Sequence, residues 1–174
     1  MNVMAQNGLC QDEYLPAYIE FFDGENGTYI YSTFSQDQIG KIKGVSYDKA
    51  SNTLTLDNVK RDEKLITNVM GDDFKILLKG DNSLKSIIVW GDGYGGNLTI
   101  TGHGKLTLNS EKTENMAITI QAEYTEGKVK IEKNVQMEMY AKEGYPIIEI
   151  VGANNSDKDK AVVIDGKVTQ NYEV

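Results

Sequence analysis

A chain of 174 residues, 40% apolar and 25% charged, is sized for one domain with a substantial core and is too apolar to be disordered. Its net charge of −8, with Arg61 the lone arginine among 18 cationic residues, excludes the basic face that nucleic acid or an anionic membrane surface requires. No apolar run reaches the roughly 18 residues of a membrane-spanning helix, and a single cysteine, Cys10, excludes an internal disulfide.

Residues 1–43 do not share the pattern of the rest. Met1 is not followed by a basic region and an apolar run, so no signal peptide is expected. Pro16 interrupts any helix there. Aromatic residues are dense: Tyr14, Tyr18, Phe21, Phe22, Tyr29, Tyr31 and Phe34. The turn cluster Asp23-Gly-Glu-Asn-Gly27 separates residues 18–22 from 28–32 and predicts a β-hairpin, with a helical turn near 36–39. We read 1–43 as a segment that caps the repetitive remainder of the chain.

From residue 44 the chain becomes repetitive. Val45-Ser-Tyr47 and Thr53-Leu-Thr-Leu56 flank a polar turn and predict a second hairpin. Five apolar stretches then end at Asn58, Asn82, Gly104, Asn134 and Gly166, spaced 24, 22, 30 and 32 residues apart. Asn and Gly tolerate positive φ most cheaply, so a left-handed corner is expected at each. A strand, a corner and another strand at such a period predict a parallel β-helix of coils over 44–174. Period-2 alternation alone also allows a β-sandwich. The clearest coils are 98–101, 105–109 and 116–121, then 129–132, 135–140 and 146–151. Within them Leu98, Ile100, Leu106, Leu108, Ile118, Ile120, Val129, Ile131 and Val162 alternate with polar residues and are the expected core. The loops at 91–97, 109–115, 124–128, 142–145 and 153–160 are where a binding surface is expected.

The segments Tyr47-Asp48, Asn52-Thr-Leu-Thr-Leu56 with Asn58, and Gly96-Asn-Leu-Thr-Ile-Thr-Gly-His-Gly-Lys-Leu-Thr-Leu108 resemble the entry hairpin and coil signature of bacterial, clostridial-type carbohydrate-binding domains. The resemblance covers about residues 44–168. It implies an all-β, right-handed parallel β-helix similar in shape to pectate lyases, a polysaccharide ligand, bound calcium and an extracellular or cell-surface setting. The chain departs from that pattern in that no signal peptide is expected from its first residues and no complete set of calcium ligands can be matched.

The loop Gly91-Asp-Gly-Tyr-Gly-Gly-Asn97 carries the candidate site. Trp90 and Tyr94 bracket it and can stack on the apolar face of a pyranose, while Asp92 and Asn97 can bond its hydroxyls. Trp90 also continues the apolar run Ile87-Ile-Val89, which leaves a core position open for it. The loop is not a phosphate loop, because no Gly-Lys-Ser/Thr and no helix follows. Asp81 and Asp92 are the only calcium candidates, short of the six to eight oxygens the ion takes. His103, between two glycines, reads as an exposed turn residue, and Arg61 as part of a solvated charged loop. No nucleophile, base and orienting group can be named together. The expectation is a non-catalytic polysaccharide-binding module. The alternatives are a structural solenoid that assembles end to end or with its own copies, and a small polysaccharide lyase or hydrolase.

Overall fold

The computed structural model describes residues 17–68, 73–90, 96–122, 127–151 and 161–172. Among them the chain is nearly all-β, and no helix is long and apolar enough to cross a membrane.

The strands fall into three sheets. The first contains β1 (Tyr18–Phe22), β2 (Gly27–Ser32), β5 (Lys64–Asn68), β8 (Ser86–Trp90), β11 (Ile118–Gln121) and β14 (Ile148–Val151), in the order β14-β11-β8-β5-β1-β2. The second contains β3 (Val45–Asp48), β4 (Thr53–Asp57), β6 (Phe74–Lys79), β9 (Asn97–Gly102), β12 (Lys128–Ile131) and β15 (Val162–Ile164), in the order β15-β12-β9-β6-β4-β3. The third contains β7 (Asp81–Leu84), β10 (Lys105–Leu108), β13 (Gln136–Ala141) and β16 (Lys167–Tyr172), in the order β16-β13-β10-β7. All pairings are parallel except those of the two predicted hairpins and of β1 with β5. A 3₁₀ turn at Gln36–Gln38 lies where the helical turn is expected.

The chain visits the sheets in rotation, so equivalent residues stack. Ile76 pairs with Ile100, Ile100 with Ile131 and Ile131 with Ile164. Ile87 pairs with Ile118 and Ile118 with Ile148. The expected core residues from Leu98 to Ile131 are all buried, because one side of each alternating strand turns inward in all three sheets. Thr99 and Lys130 face outward. Val162 is only half-buried, since its strand is the last of its sheet. The two hairpins meet at the opposite end, where the rings of Tyr31 and Tyr47 lie 4.9 Å apart. The Tyr47 hydroxyl donates to Asn52 Oδ1 at 2.8 Å, and burial pushes its pKa up to about 12.

The corners differ from expectation. Asn58 has φ 54° as expected, but Asn82, Gly104, Asn134 and Gly166 do not have positive φ. The left-handed residues of the next two corners are Gly80 (φ 65°) and Gly102 (φ 102°), each two positions earlier than the expected residue. Asn82 is instead an inward-facing residue of β7, stacked below Leu106. Gly104 is glycine because backbone passes against it: a Cβ there would come within 2.8 Å of Gly80 O and of the Leu78 carbonyl carbon.

Arg61 also departs from its reading as a solvated side chain. Its Nη2 lies 2.6 Å from Glu63 Oε1, and its guanidinium sits 5.0 Å from the centre of the Phe21 ring. The charged run Arg61-Asp-Glu-Lys64 therefore leads directly into β5, with Arg61 folded over the core edge.

Candidate functional site

The outer faces of the three sheets are built differently. In the second sheet the outward residues of β4, β6, β9 and β12 are mainly Thr53, Thr55, Lys75, Thr99, Thr101 and Lys130. In the third they form an alternating charge ladder, with Lys60 3.1 Å from Asp81 and Lys105 3.0 Å from Glu138. The hydrogen bond to Glu138 raises the Lys105 pKa. Such faces are satisfied by water and by their own ion pairs.

The first sheet breaks this pattern. In β8, Ile87 and Val89 are buried while Ile88 and Trp90 are half-buried and point the other way. Trp90 is therefore an outer-face residue and not a continuation of the core. The pairing sets two rows across the strands. One runs Tyr29, Glu20, Ile66, Ile88, Thr119, Glu149. In the other, Tyr18 pairs with Asn68, and Trp90 pairs with Gln121. Asn68 follows Thr67 as Trp90 follows Val89, and those two are paired, so Asn68 lies between Tyr18 and Trp90. The half of the face nearer β2 is thus aromatic and aliphatic, and the half nearer β14 is polar.

Aromatic contacts extend the apolar half. The Tyr18 and Tyr29 rings meet edge to face with centroids 6.1 Å apart, and Tyr29 meets Phe34 at 5.7 Å. Phe34 is 56% exposed, the most exposed large apolar side chain among the described residues.

Glu20 lies within this apolar half. Burial raises its carboxyl above the usual glutamate range, and burial followed by the charge of Glu20 raises the Tyr29 phenol. Among the described residues no cation and no hydrogen-bond donor reaches the Glu20 carboxylate. Gly27 makes room for it, since a Cβ there would collide with Glu20 Oε2. A half-buried carboxylate beside the half-buried rings of Tyr18 and Tyr29, with no partner among the described residues, is able to accept further hydrogen bonds.

The raised pKa has a consequence for stability. The folded chain holds the Glu20 proton more tightly than the unfolded chain, so this group's contribution is full below the unfolded pKa and is lost as pH rises through the folded value. Glu20→Gln is expected to raise the melting temperature at about pH 7 and leave it unchanged near pH 3, where the parent carboxyl is protonated. Thermal melts at both pH values check this, and equal effects at both would disprove it.

The sequence-derived residues are only partly brought together. Trp90 ends β8 in the first sheet, whereas Asn97 begins β9 in the second. Asn97 is half-buried, and its Oδ1 is enclosed without a hydrogen-bond partner among the described residues. Asp92 and Tyr94 lie outside the described residues. Asp81 is engaged by Lys60, and among the described residues no group of three or more His, Cys, Asp or Glu side chains could hold a metal ion. His103 is exposed, as expected for a turn residue. Tyr18, Glu20, Ile66 and Ile88 are not legible as surface residues in the sequence. The signal for them is an apolar residue at an outward phase, and that phase is defined only once the register is known.

No protein-family model, curated protein or solved structure matches the chain.

Proposed function

We propose that the chain is a non-catalytic carbohydrate-binding module with a right-handed parallel β-helix architecture, acting in a bacterial surface or secreted protein. The rotation of the chain through three sheets supports the architecture, with β6 to β16 visiting the second, third and first sheets in turn. The ligand reading rests on one observation. The outer face of the first sheet joins Trp90, Tyr18 and Tyr29 to a Glu20 carboxylate that has no partner among the described residues, while the other two faces carry mainly threonines and charged residues. Sugar rings present C–H groups on one face and hydroxyl donors at the edge, so they need an aromatic platform beside an acceptor. A flat sheet face gives this without a deep pocket.

A glycan-array screen of the purified protein, with and without calcium, tests the reading. Binding to a polysaccharide is expected, and Trp90→Ala should weaken it at least tenfold while the melting temperature changes little, since an outer-face ring contributes modestly to the core. Retention of parent affinity in the variant would remove this face from binding.

One observation favours a second reading, a module that assembles. The last strands of two sheets expose Val151, Val163 and Ile164, at 48%, 44% and 37%. Exposed strand edges recruit other strands. A sedimentation coefficient that rises with protein concentration and falls on Ile164→Lys substitution would favour this reading over the sugar reading.

A further inference from the structure

We infer that the cleft between the two hairpins is a binding site for a small aromatic carboxylate, whose ring lies against Tyr31 and Tyr47 and whose anionic group meets Lys41. This site lies apart from the outer face of the first sheet and does not depend on the carbohydrate reading.

The cleft has a volume of about 370 Å³, and its lining includes Ile30, Tyr31, Lys41, Ile42, Val45 and Tyr47. Small-molecule sites span roughly 300–1,000 Å³. Local backbone features bring these side chains to one space. Tyr31 pairs with Ile19 and Tyr29 with Glu20, so Ile30 is an extra residue in β2 with no partner on β1. Such a bulge breaks the alternation, and the consecutive residues Ile30 and Tyr31 both line the cleft. On β3, Val45 and Tyr47 stack on Leu56 and Leu54, which are fully buried. Ile42 comes from the connection between the hairpins, which is tied to β2 by the Gly40 N–H donating to Tyr29 O at 2.9 Å. The apolar lining packs against the core, so its walls need little ordering when a ligand enters.

The rings set the shape of the ligand. Tyr31 and Tyr47 are tilted by 47° with centroids 4.9 Å apart. Tyr47 is pinned, because its hydroxyl donates to Asn52 Oδ1 and Asn52 Nδ2 donates to Asp73 O, each at 2.8 Å. Two fixed, tilted rings offer a third ring an edge-to-face or offset contact. An extended peptide fits less well. On the outermost strand of this sheet, Tyr29 O already accepts the Gly40 N–H, so the edge of β2 is not free for strand addition.

The charge follows from the groups around the cleft. Lys41 is exposed in the lining, and the Lys49 ammonium stands 5.9 Å from the centre of the Tyr31 ring. Neither lysine makes an ion pair among the described residues. The acid next to Lys49, Asp48, is engaged by its own turn, accepting from the Ser51 hydroxyl at 2.6 Å and the Ala50 N–H at 3.1 Å. Among the described residues no carboxylate lines the cleft. A cationic ligand would be repelled, and a neutral one would gain nothing from the lysines. A carboxylate gains a charge-assisted hydrogen bond, the stronger kind.

The test is a titration of the full chain, followed by nuclear magnetic resonance, with benzoate, benzyl alcohol and cyclohexanecarboxylate. The alcohol keeps the ring without the charge, and the last keeps the charge without the aromatic ring. Benzoate should bind saturably and about tenfold tighter than benzyl alcohol, the worth of one hydrogen bond to a charged group. It should also bind tighter than cyclohexanecarboxylate. The amide signals of Gly40 and Ser46, which line the cleft, should move with occupancy, and the Trp90 indole signal should not. Lys41→Glu should remove the preference for benzoate over the alcohol and leave the melting temperature unchanged, because Lys41 is exposed. Tyr31→Leu should bring benzoate down to the affinity of cyclohexanecarboxylate, and Lys41→Glu decides alone if that variant does not fold. Equal affinity of the parent for benzoate and benzyl alcohol would overturn the inference. So would signals that move at Trp90 in place of Gly40 and Ser46. Absence of saturable binding would overturn it too, and a sedimentation coefficient rising with protein concentration would then assign the cleft to a second copy of the chain.

Discussion

Asn82→Leu is expected to lower the unfolding free energy by about 3 kcal/mol, a large share of the roughly 5–15 kcal/mol that holds a domain. Leucine is the residue found at the equivalent position of the next circuit, Leu106, and Asn82 is fully buried, so shape alone predicts little harm. The polar atoms decide otherwise. Asn82 Oδ1 accepts the Val59 N–H at 2.8 Å, and Nδ2 donates to Lys79 O at 3.0 Å and Lys105 O at 3.2 Å. Below β7 the chain makes only an isolated bridge, Lys60 with Ser83, so the Val59 N–H has no ladder partner to replace the side chain. Leucine would leave that N–H buried and unpaired, which is the costly side of a lost hydrogen bond. Urea denaturation measures the change. A variant as stable as the parent would mean that the first corner rearranges to find another acceptor.

Gly104→Ala is expected to cost about as much, although alanine adds a single methyl group. Gly104 is not left-handed, so backbone preference does not oppose the change. Space does. The new Cβ would meet Gly80 O and the Leu78 carbonyl carbon at 2.8 Å and Leu78 Cβ at 2.9 Å. These atoms cannot retreat cheaply, because the corner is bonded on both sides. Gly104 N–H donates to Leu78 O at 3.1 Å, and Gly104 O accepts the Gln136 N–H at 3.1 Å. Overpacking of this kind costs about 1–3 kcal/mol and more where backbone is the obstacle. Gly166 occupies the same corner in the last circuit and is just as close to backbone, at 2.7 Å from Glu132 O and Val135 O. Among the described residues no further strand lies beyond its sheet, so that corner can move away. Gly166→Ala should therefore cost less than half as much. Equal losses in the two variants would sink the explanation from two-sided confinement.

The proposed sugar-binding residues divide along the same physical line. Trp90 is legible from its chemistry, as a large ring beside a glycine-rich loop. Its side of the strand is not, because four consecutive apolar residues, Ile87 to Trp90, have no phase of their own. Tyr18 and Glu20 alternate clearly with Ile19 and Phe21, but a hairpin near the chain start reads equally well with either face toward solvent. Their meeting with Trp90 depends on β1 pairing with β5, a contact between residues 18 and 68 that no local pattern announces. Arg61 misleads for a similar reason. A run of charged residues looks solvated until the ring that one of them covers, Phe21, is known to lie beside it.

What the sequence determined by itself is the alternation. Leu98, Ile100, Leu106, Leu108, Ile118, Ile120, Val129 and Ile131 are buried because a strand sends successive side chains to opposite faces, and a period of two is written in adjacent residues. The hairpins are equally local, since Asp23-Gly-Glu-Asn-Gly27 and the turn before Thr53 each close over a few residues. Only the tertiary structure decided the register between circuits, and with it which glycine serves conformation and which serves space. Gly102 and Gly104 flank the same histidine and look interchangeable. One has φ 102° and turns the chain; the other lies against the backbone of residues more than twenty positions earlier. Close approach between distant segments is a property of packing and leaves no mark on neighbouring residues. The apolar outer face arises in the same way. Tyr18, Glu20, Ile66, Ile88 and Trp90 are scattered through more than seventy residues, and only sheet pairing makes them one surface.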